Sequence, residues 1–213
     1  LGKAVNVAPQ TPGEIGVYTF AVFARTYVHF DSLTNSANHV WNLDGPTGRL
    51  VDSRRFDQSD ANTSPAPAIL LEAGNYRLSV KNNLGSLSAV QFSLIDLSAA
   101  SLVDTATVLS GQHTPTTANH LYRFRGTKGQ QLFFDVLQVS QANQFRYRLV
   151  DPFGNVLFTA TSFVDTQPSP LLADGVYTLM IEPLISVATE HTYSLKIVPV
   201  VELNSELTVN DLV

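Results

Sequence analysis

The stretch Phe145-Arg146-Tyr147-Arg148-Leu149-Val150-Asp151-Pro152-Phe153-Gly154-Asn155-Val156-Leu157-Phe158 decides the fold class of this chain. Phe145, Tyr147 and Leu149 alternate with Arg146 and Arg148, which puts apolar side chains on one face of an extended segment and cations on the other. That is the pattern of a half-buried β-strand. Pro152 fixes a backbone angle, Gly154 tolerates an unusual one, and the chain resumes with apolar residues, so the segment reads as a hairpin. The outward Arg146 and Arg148 are then expected to solubilise a sheet.

The same punctuation recurs along the chain. Val40-Trp41-Asn42-Leu43 runs into Asp44-Gly45-Pro46-Thr47-Gly48 and then Leu50-Val51, a first version of the same hairpin. Tyr18-Thr19-Phe20 followed by Phe30-Asp31-Ser32-Leu33 returns as Tyr122-Arg123-Phe124 followed by Phe134-Asp135-Val136-Leu137. Leu71-Glu72-Ala73-Gly74-Asn75-Tyr76 is echoed by Leu172-Ala173-Asp174-Gly175-Val176-Tyr177, and Phe92-Ser93-Leu94 by Tyr193-Ser194-Leu195. Two units of domain size lie in tandem. Positions kept in both copies belong to the framework, and positions kept in one are candidates for a special role. No segment carries a capped helical stripe. The sequence therefore predicts an all-β chain of two tandem antiparallel β-sandwiches of jelly-roll type. They are expected over 1–97 and 108–200, with a linker over 98–107 on which stiffness depends. The segment 201–213, with Glu202-Leu203-Asn204, reads as the opening of a further linker or repeat. The chain is expected to be part of a longer repeat protein.

Composition narrows the function classes. The 213 residues include 13 Lys plus Arg without a basic run, and the formal net charge is -5, so there is no footprint for a nucleic-acid backbone. There is no cysteine, which excludes disulfides and thiolate zinc sites. No stretch approaches the about 20 apolar residues of a membrane helix, so membrane insertion is not expected.

Few residues point to chemistry. Asp57, Asp60 and Asn62 offer oxygen ligands close together in a long polar loop, which makes calcium a candidate cofactor, although the spacing lacks the glycine and terminal glutamate of an EF-hand. The paired Asp31 and Asp135 are either metal ligands or acceptors for backbone donors, and the second reading is the commoner use of a strand carboxylate. Trp41, the single tryptophan, offers a sugar-stacking platform together with His39. Its counterpart Tyr147 shares a face with Leu149, which argues for core packing instead. His113 and His120 flank one loop and form a candidate pair. No nucleophile is paired with a base, so a noncatalytic chain is expected.

The ordered turns of the second unit resemble the bacterial pre-peptidase C-terminal (PPC) domain. They are Tyr122-Arg123-Phe124, Lys128-Gly129-Gln130, Arg148-Leu149-Val150-Asp151-Pro152-Phe153-Gly154-Asn155, Ala173-Asp174-Gly175-Val176-Tyr177 and Tyr193-Ser194-Leu195. The first unit is a degenerate copy, with Arg25 near the place of Gly129 and a longer polar loop from Asp52 to Ala68. The resemblance implies a compact, often tandem sandwich appended to secreted proteases or built into bacterial surface proteins, hence an extracellular spacer or adhesive segment. Its implied partners are flanking domains of the same polypeptide. A carbohydrate- or protein-ligand module and an accessory domain of a secreted protease are the alternatives.

Overall fold

A computed structural model of the chain describes residues 1–59, 64, 66–113, 119–184 and 189–202. The first half contains β1 (Ala4–Val7), β2 (Ile15–Val22), β3 (Thr26–Ser32), β4 (His39–Gly45), β5 (Gly48–Arg55), β6 (Ile69–Leu71), β7 (Gly74–Asn82) and β8 (Val90–Asp96). They pair as two four-stranded sheets, β1-β8-β3-β6 and β2-β7-β4-β5, which is jelly-roll order. The second half contains β9 (Ser101–Leu102), β10 (Val108–His113), β11 (His120–Gly126), β12 (Leu132–Val139), β13 (Phe145–Val150), β14 (Val156–Ala160), β15 (Gly175–Pro183) and β16 (His191–Pro199). Their sheets run β10-β16-β12 and β14-β13-β15-β11-β9. Pairing among the described strands is antiparallel except for β9 alongside β11. Only short 3-10 turns interrupt the described strands, at Phe56–Gln58, Leu97–Ala99 and Ala142–Gln144.

Each sandwich closes over its own aromatic core. In the first, the Phe30 ring is stacked between Trp41 at 3.9 Å and Phe92 at 4.8 Å, joining β3, β4 and β8. In the second, Phe145, Phe163 and Tyr193 meet with ring centroids 5.4–5.6 Å apart. Offset and edge-on pairs of this kind add to the area term of burial.

The Gly-x-Tyr echo has a specific cause. The Tyr76 hydroxyl donates to the Glu72 carbonyl at 2.7 Å, and the Tyr177 hydroxyl donates to the Ala173 carbonyl at 2.7 Å. Gly74 and Gly175 have φ of +154° and +151°, and a Cβ on them would meet the Cγ of Pro46 at 2.2 Å and of Pro152 at 2.5 Å. Glycine is needed so that the β7 and β15 entrances can pass beside the proline of each hairpin. The Phe92/Tyr193 echo is off by two residues. The strand registers set Leu94 opposite Phe30 and Ile197 opposite Phe134, so Leu94 matches Ile197 rather than Leu195. A slip of two keeps each side chain on its own face, so the sequence could not reveal it.

The sandwiches stack face to face. Ile181 and Tyr147 point into the second core, so the neighbouring Glu182 and Arg148 project from the outer face of that sheet. This face lies on the outer face of β3 and on the turn that follows β8, around a small apolar cluster of Leu97, Val150 and Met180. Arg148 is only 4% exposed and donates through Nη1 to the Ser64 carbonyl at 2.6 Å. The expectation that Arg148 solubilises a free face is thus corrected, because that face is covered. The Leu97–Ala99 turn and β9 also occupy much of the expected linker, and β9 belongs to the second sandwich.

Gly175→Ala should lower the unfolding free energy by roughly 1–3 kcal/mol, since it adds both backbone strain and a clash with Pro152. Urea denaturation monitored by circular dichroism checks this value.

Candidate functional site

The aromatic and histidine candidates lie inside the sandwiches. Trp41 is 0% exposed; its Nε1 donates to Ser59 Oγ at 2.7 Å, and the Arg54 guanidinium lies 5.4 Å from its ring centroid. Tyr147 is buried and donates to the Val164 carbonyl at 2.6 Å, and burial pushes its phenol up to about 12. His39 is buried between Ser36 Oγ at 2.8 Å and the Ser88 carbonyl at 3.1 Å, and desolvation lowers its pKa. None of the three offers a surface for stacking a sugar. The sugar-stacking platform of Trp41 with His39 is therefore set aside, and Trp41 and Tyr147 are core residues, the alternative that the shared face of Tyr147 and Leu149 argued for.

Of the loop oxygens, Asp57 is held by Arg55, whose Nε donates to Oδ1 at 2.9 Å and whose Nη2 donates to Oδ2. Asp60 and Asn62 lie outside the described residues. Among the described residues no three His, Asp or Glu side chains converge as metal ligands. Asp31 is buried, and its Oδ2 accepts the backbone N–H of Asn119 at 3.0 Å. It is therefore an acceptor for a backbone donor, and the donor comes from the other sandwich. Asp135, its counterpart, is partly exposed and stands opposite Lys196.

His113 and His120 are brought together. Their rings stack at 3.9 Å, and His120 Nδ1 lies 2.7 Å from the Tyr193 hydroxyl, itself 2.9 Å from the Tyr122 hydroxyl. Desolvation, with His120 close by, pushes the His113 imidazole down to about 3, and burial also lowers His120. The two rings, whose neutral forms burial favours, pack beside Tyr193 and make a polar seam between sheets.

A further polar constellation among the described residues is the junction, of which sequence reading singled out only Asp31. His29 and Glu182 are each 1% exposed. His29 Nδ1 donates to the Pro67 carbonyl at 2.9 Å, while its Nε2 lies 3.1 Å from Asn119 Nδ2 and 3.4 Å from Glu182 Oε1. Asn119 Nδ2 also donates to Glu182 Oε1. Tyr27 adds a hydroxyl bond of 2.5 Å to the Phe153 carbonyl, and a Cβ on Gly154 would meet the Tyr27 ring at 2.3 Å. The signal available was the repeat itself. Matched strand by strand, His29 stands where the second unit has Phe133, Glu182 where the first has Lys81, and Arg148 where the first has Asn42. Along the rim runs a groove of about 230 Å³ that includes Arg25, Tyr27, Arg123 and Pro152, and Phe153 nearby is 63% exposed.

Neither a protein-family model nor a curated protein matches the chain. Among solved structures it is similar to PliG, a periplasmic inhibitor of g-type lysozyme from Aeromonas hydrophila, at 14% identity and TM-score 0.36 over 46% of this chain and 96% of that one. The human MASP-1/3 CUB1-EGF-CUB2 domains align at 10% identity and TM-score 0.28, over 91% and 99%. Tandem CBM51 modules of a family 98 glycoside hydrolase from Streptococcus pneumoniae align at 8% and 0.27, over 92% and 84%.

The lowered His113 pKa fixes a pH dependence. The folded state favours the neutral ring, so the unfolded chain binds protons first, and the stability this group contributes is present above pH 6.5 and lost as pH falls towards about 3. His113→Gln should give a flatter stability profile than the parent across that window, measured by urea denaturation at stepped pH.

Proposed function

We propose that this chain is a noncatalytic, extracellular β-sandwich repeat module serving as a spacer or adhesive segment of a larger secreted or cell-surface bacterial protein. The observation that carries the reading is the buried junction. A spacer must transmit orientation, and His29 and Asp31 of one sandwich and Glu182 of the other are withdrawn from water into one hydrogen-bonded constellation with the half-buried Asn119. The order of turns shared with PPC domains supports the extracellular, accessory part of the reading, and flanking domains of the same polypeptide are its partners. Attachment to a secreted protease is the form this role takes in some proteins of the PPC family.

A ligand-binding role is the second reading, favoured by the rim groove, where Arg25 and Arg123 accompany the exposed Phe153. A carboxylate on a carbohydrate or protein ligand would compete there with Glu72 for Arg25 and with the Ser98 carbonyl for Arg123, in a lining that also holds Asp151. Retention on an immobilised acidic polysaccharide, lost in Arg25→Ala/Arg123→Ala, would favour this reading over the spacer.

The spacer reading predicts one calorimetric transition for the whole chain. His29→Phe, which installs the residue of the matching position, leaves Glu182 and Asn119 without their imidazole neighbour and should cost roughly 1–3 kcal/mol. The transition should then split as the sandwiches melt separately. Two transitions in the parent chain would refute the strut.

A further inference from the structure

The two sandwiches differ at one edge. In the second, β11 is flanked by the short parallel strand β9, with Tyr122 opposite Ser101 and Arg123 opposite Leu102. The Val103 N–H donates to the Arg123 carbonyl at 2.7 Å, and the Val103 side chain packs against the core between the sheets. The matching strand of the first sandwich is β2, whose Tyr18, Thr19 and Phe20 correspond to Tyr122, Arg123 and Phe124. Among the described residues β2 pairs with β7 alone, so one side of an eight-residue strand is an open edge. Ile15 and Val17 on it are 50% and 46% exposed. An open apolar edge of that length is one that folded proteins ordinarily cover.

Beside this edge lies a largely apolar groove of about 240 Å³ whose lining includes Tyr18, Phe20, Phe92 and Leu94, with Leu1 and Lys3 at the chain's first residues. In the second sandwich Val103 packs against the cluster that holds Phe124, Leu195 and Ile197, the counterparts of Phe20, Phe92 and Leu94. The approach to the two grooves is also the same. Gly2 has φ +84° and its N–H donates to the Leu94 carbonyl at 2.7 Å, while Ala106 has φ +72° and its N–H donates to the Ile197 carbonyl at 2.6 Å. Leu94 and Ile197 are matching positions, opposite Phe30 and Phe134. The left-handed turn that leads from β9 into β10 therefore has a counterpart at the entrance to β1.

We propose that the β2 edge and its groove form a strand-acceptor site for an extended segment with the chemistry of Ser101-Leu102-Val103, supplied as the linker of a neighbouring repeat unit of this architecture. The segment adds to β2 as a parallel strand, giving main-chain hydrogen bonds to Thr19 and seating one β-branched side chain in the groove. Main-chain pairing supplies affinity, and the groove selects the aliphatic residue. The site itself rests on the internal comparison of the two sandwiches, and its occupant rests on the reading of the chain as a repeat module of a larger protein.

The test fuses a second copy of the sequence from Ser98 to Asp104 directly ahead of Leu1 and follows amide hydrogen exchange in the intact chain. Tethering gives the strand a high effective concentration, so exchange at Val17, Thr19 and Ala21 should slow by roughly tenfold or more. The same fusion with its valine replaced by aspartate should leave these amides at the parent rate. Unchanged exchange in the first fusion, or equal protection by both, overturns the proposal. Protection that appears at β11 instead, through exchange of the copy for β9, overturns it as well.

Discussion

Glu182 sets the geometry of this molecule. A carboxylate 1% exposed between His29 and Asn119 has lost its water, and withdrawing such a group costs several kcal/mol unless polar partners replace the solvent. Those partners are divided between the sandwiches, so the second sheet face must lie on the first for the constellation to exist. Arg148 follows the same rule, reaching the Ser64 carbonyl across the boundary. The apolar cluster of Leu97, Val150 and Met180 and the seat of Tyr27 against Gly154 then complete a junction whose polar centre fixes its register. Stiffness therefore resides in the packed faces, whereas the sequence placed it in the linker.

This arrangement explains how a duplicated fold acquires one particular junction. The framework residues repeat because each unit meets the same local demands: Tyr76 and Tyr177 tie down the same loop, and Gly74 and Gly175 pass the same proline. Of the junction residues Asp31 repeats, as Asp135, but His29, Arg148 and Glu182 do not, because each outer face has a different neighbour. Phe133 in place of His29 and Lys81 in place of Glu182 cannot rebuild the same network elsewhere. A second interface of identical chemistry is thereby excluded, and the order of the two units is written into their differences.

The alternation at Phe145 to Leu149 was enough to place strand and core, and the Gly-x-Tyr echo was enough to find the repeat. What the outward residues touch was illegible, since Arg148 on a wet face and Arg148 under a second sandwich have the same period. The roles of Trp41 and His39 were ambiguous for a related reason: an aromatic ring serves a core and a sugar platform equally well until its exposure is known. His113 and His120 were paired by sequence proximity, but their stacking and their contact with Tyr193 depend on strands far apart in the chain. The junction could have been sought among the mismatches of the repeat, but only strand registers identify which mismatches share a face.

The most direct test of this account is the relative orientation of the sandwiches in solution, measured from residual dipolar couplings of backbone amides on the intact chain in dilute alignment medium. A locked junction predicts that couplings from both sandwiches fit one alignment tensor, with the orientation given by the packed faces. Two tensors of different magnitude would mean that the sandwiches move independently, and would contradict the claim that the His29, Asn119 and Glu182 constellation fixes them.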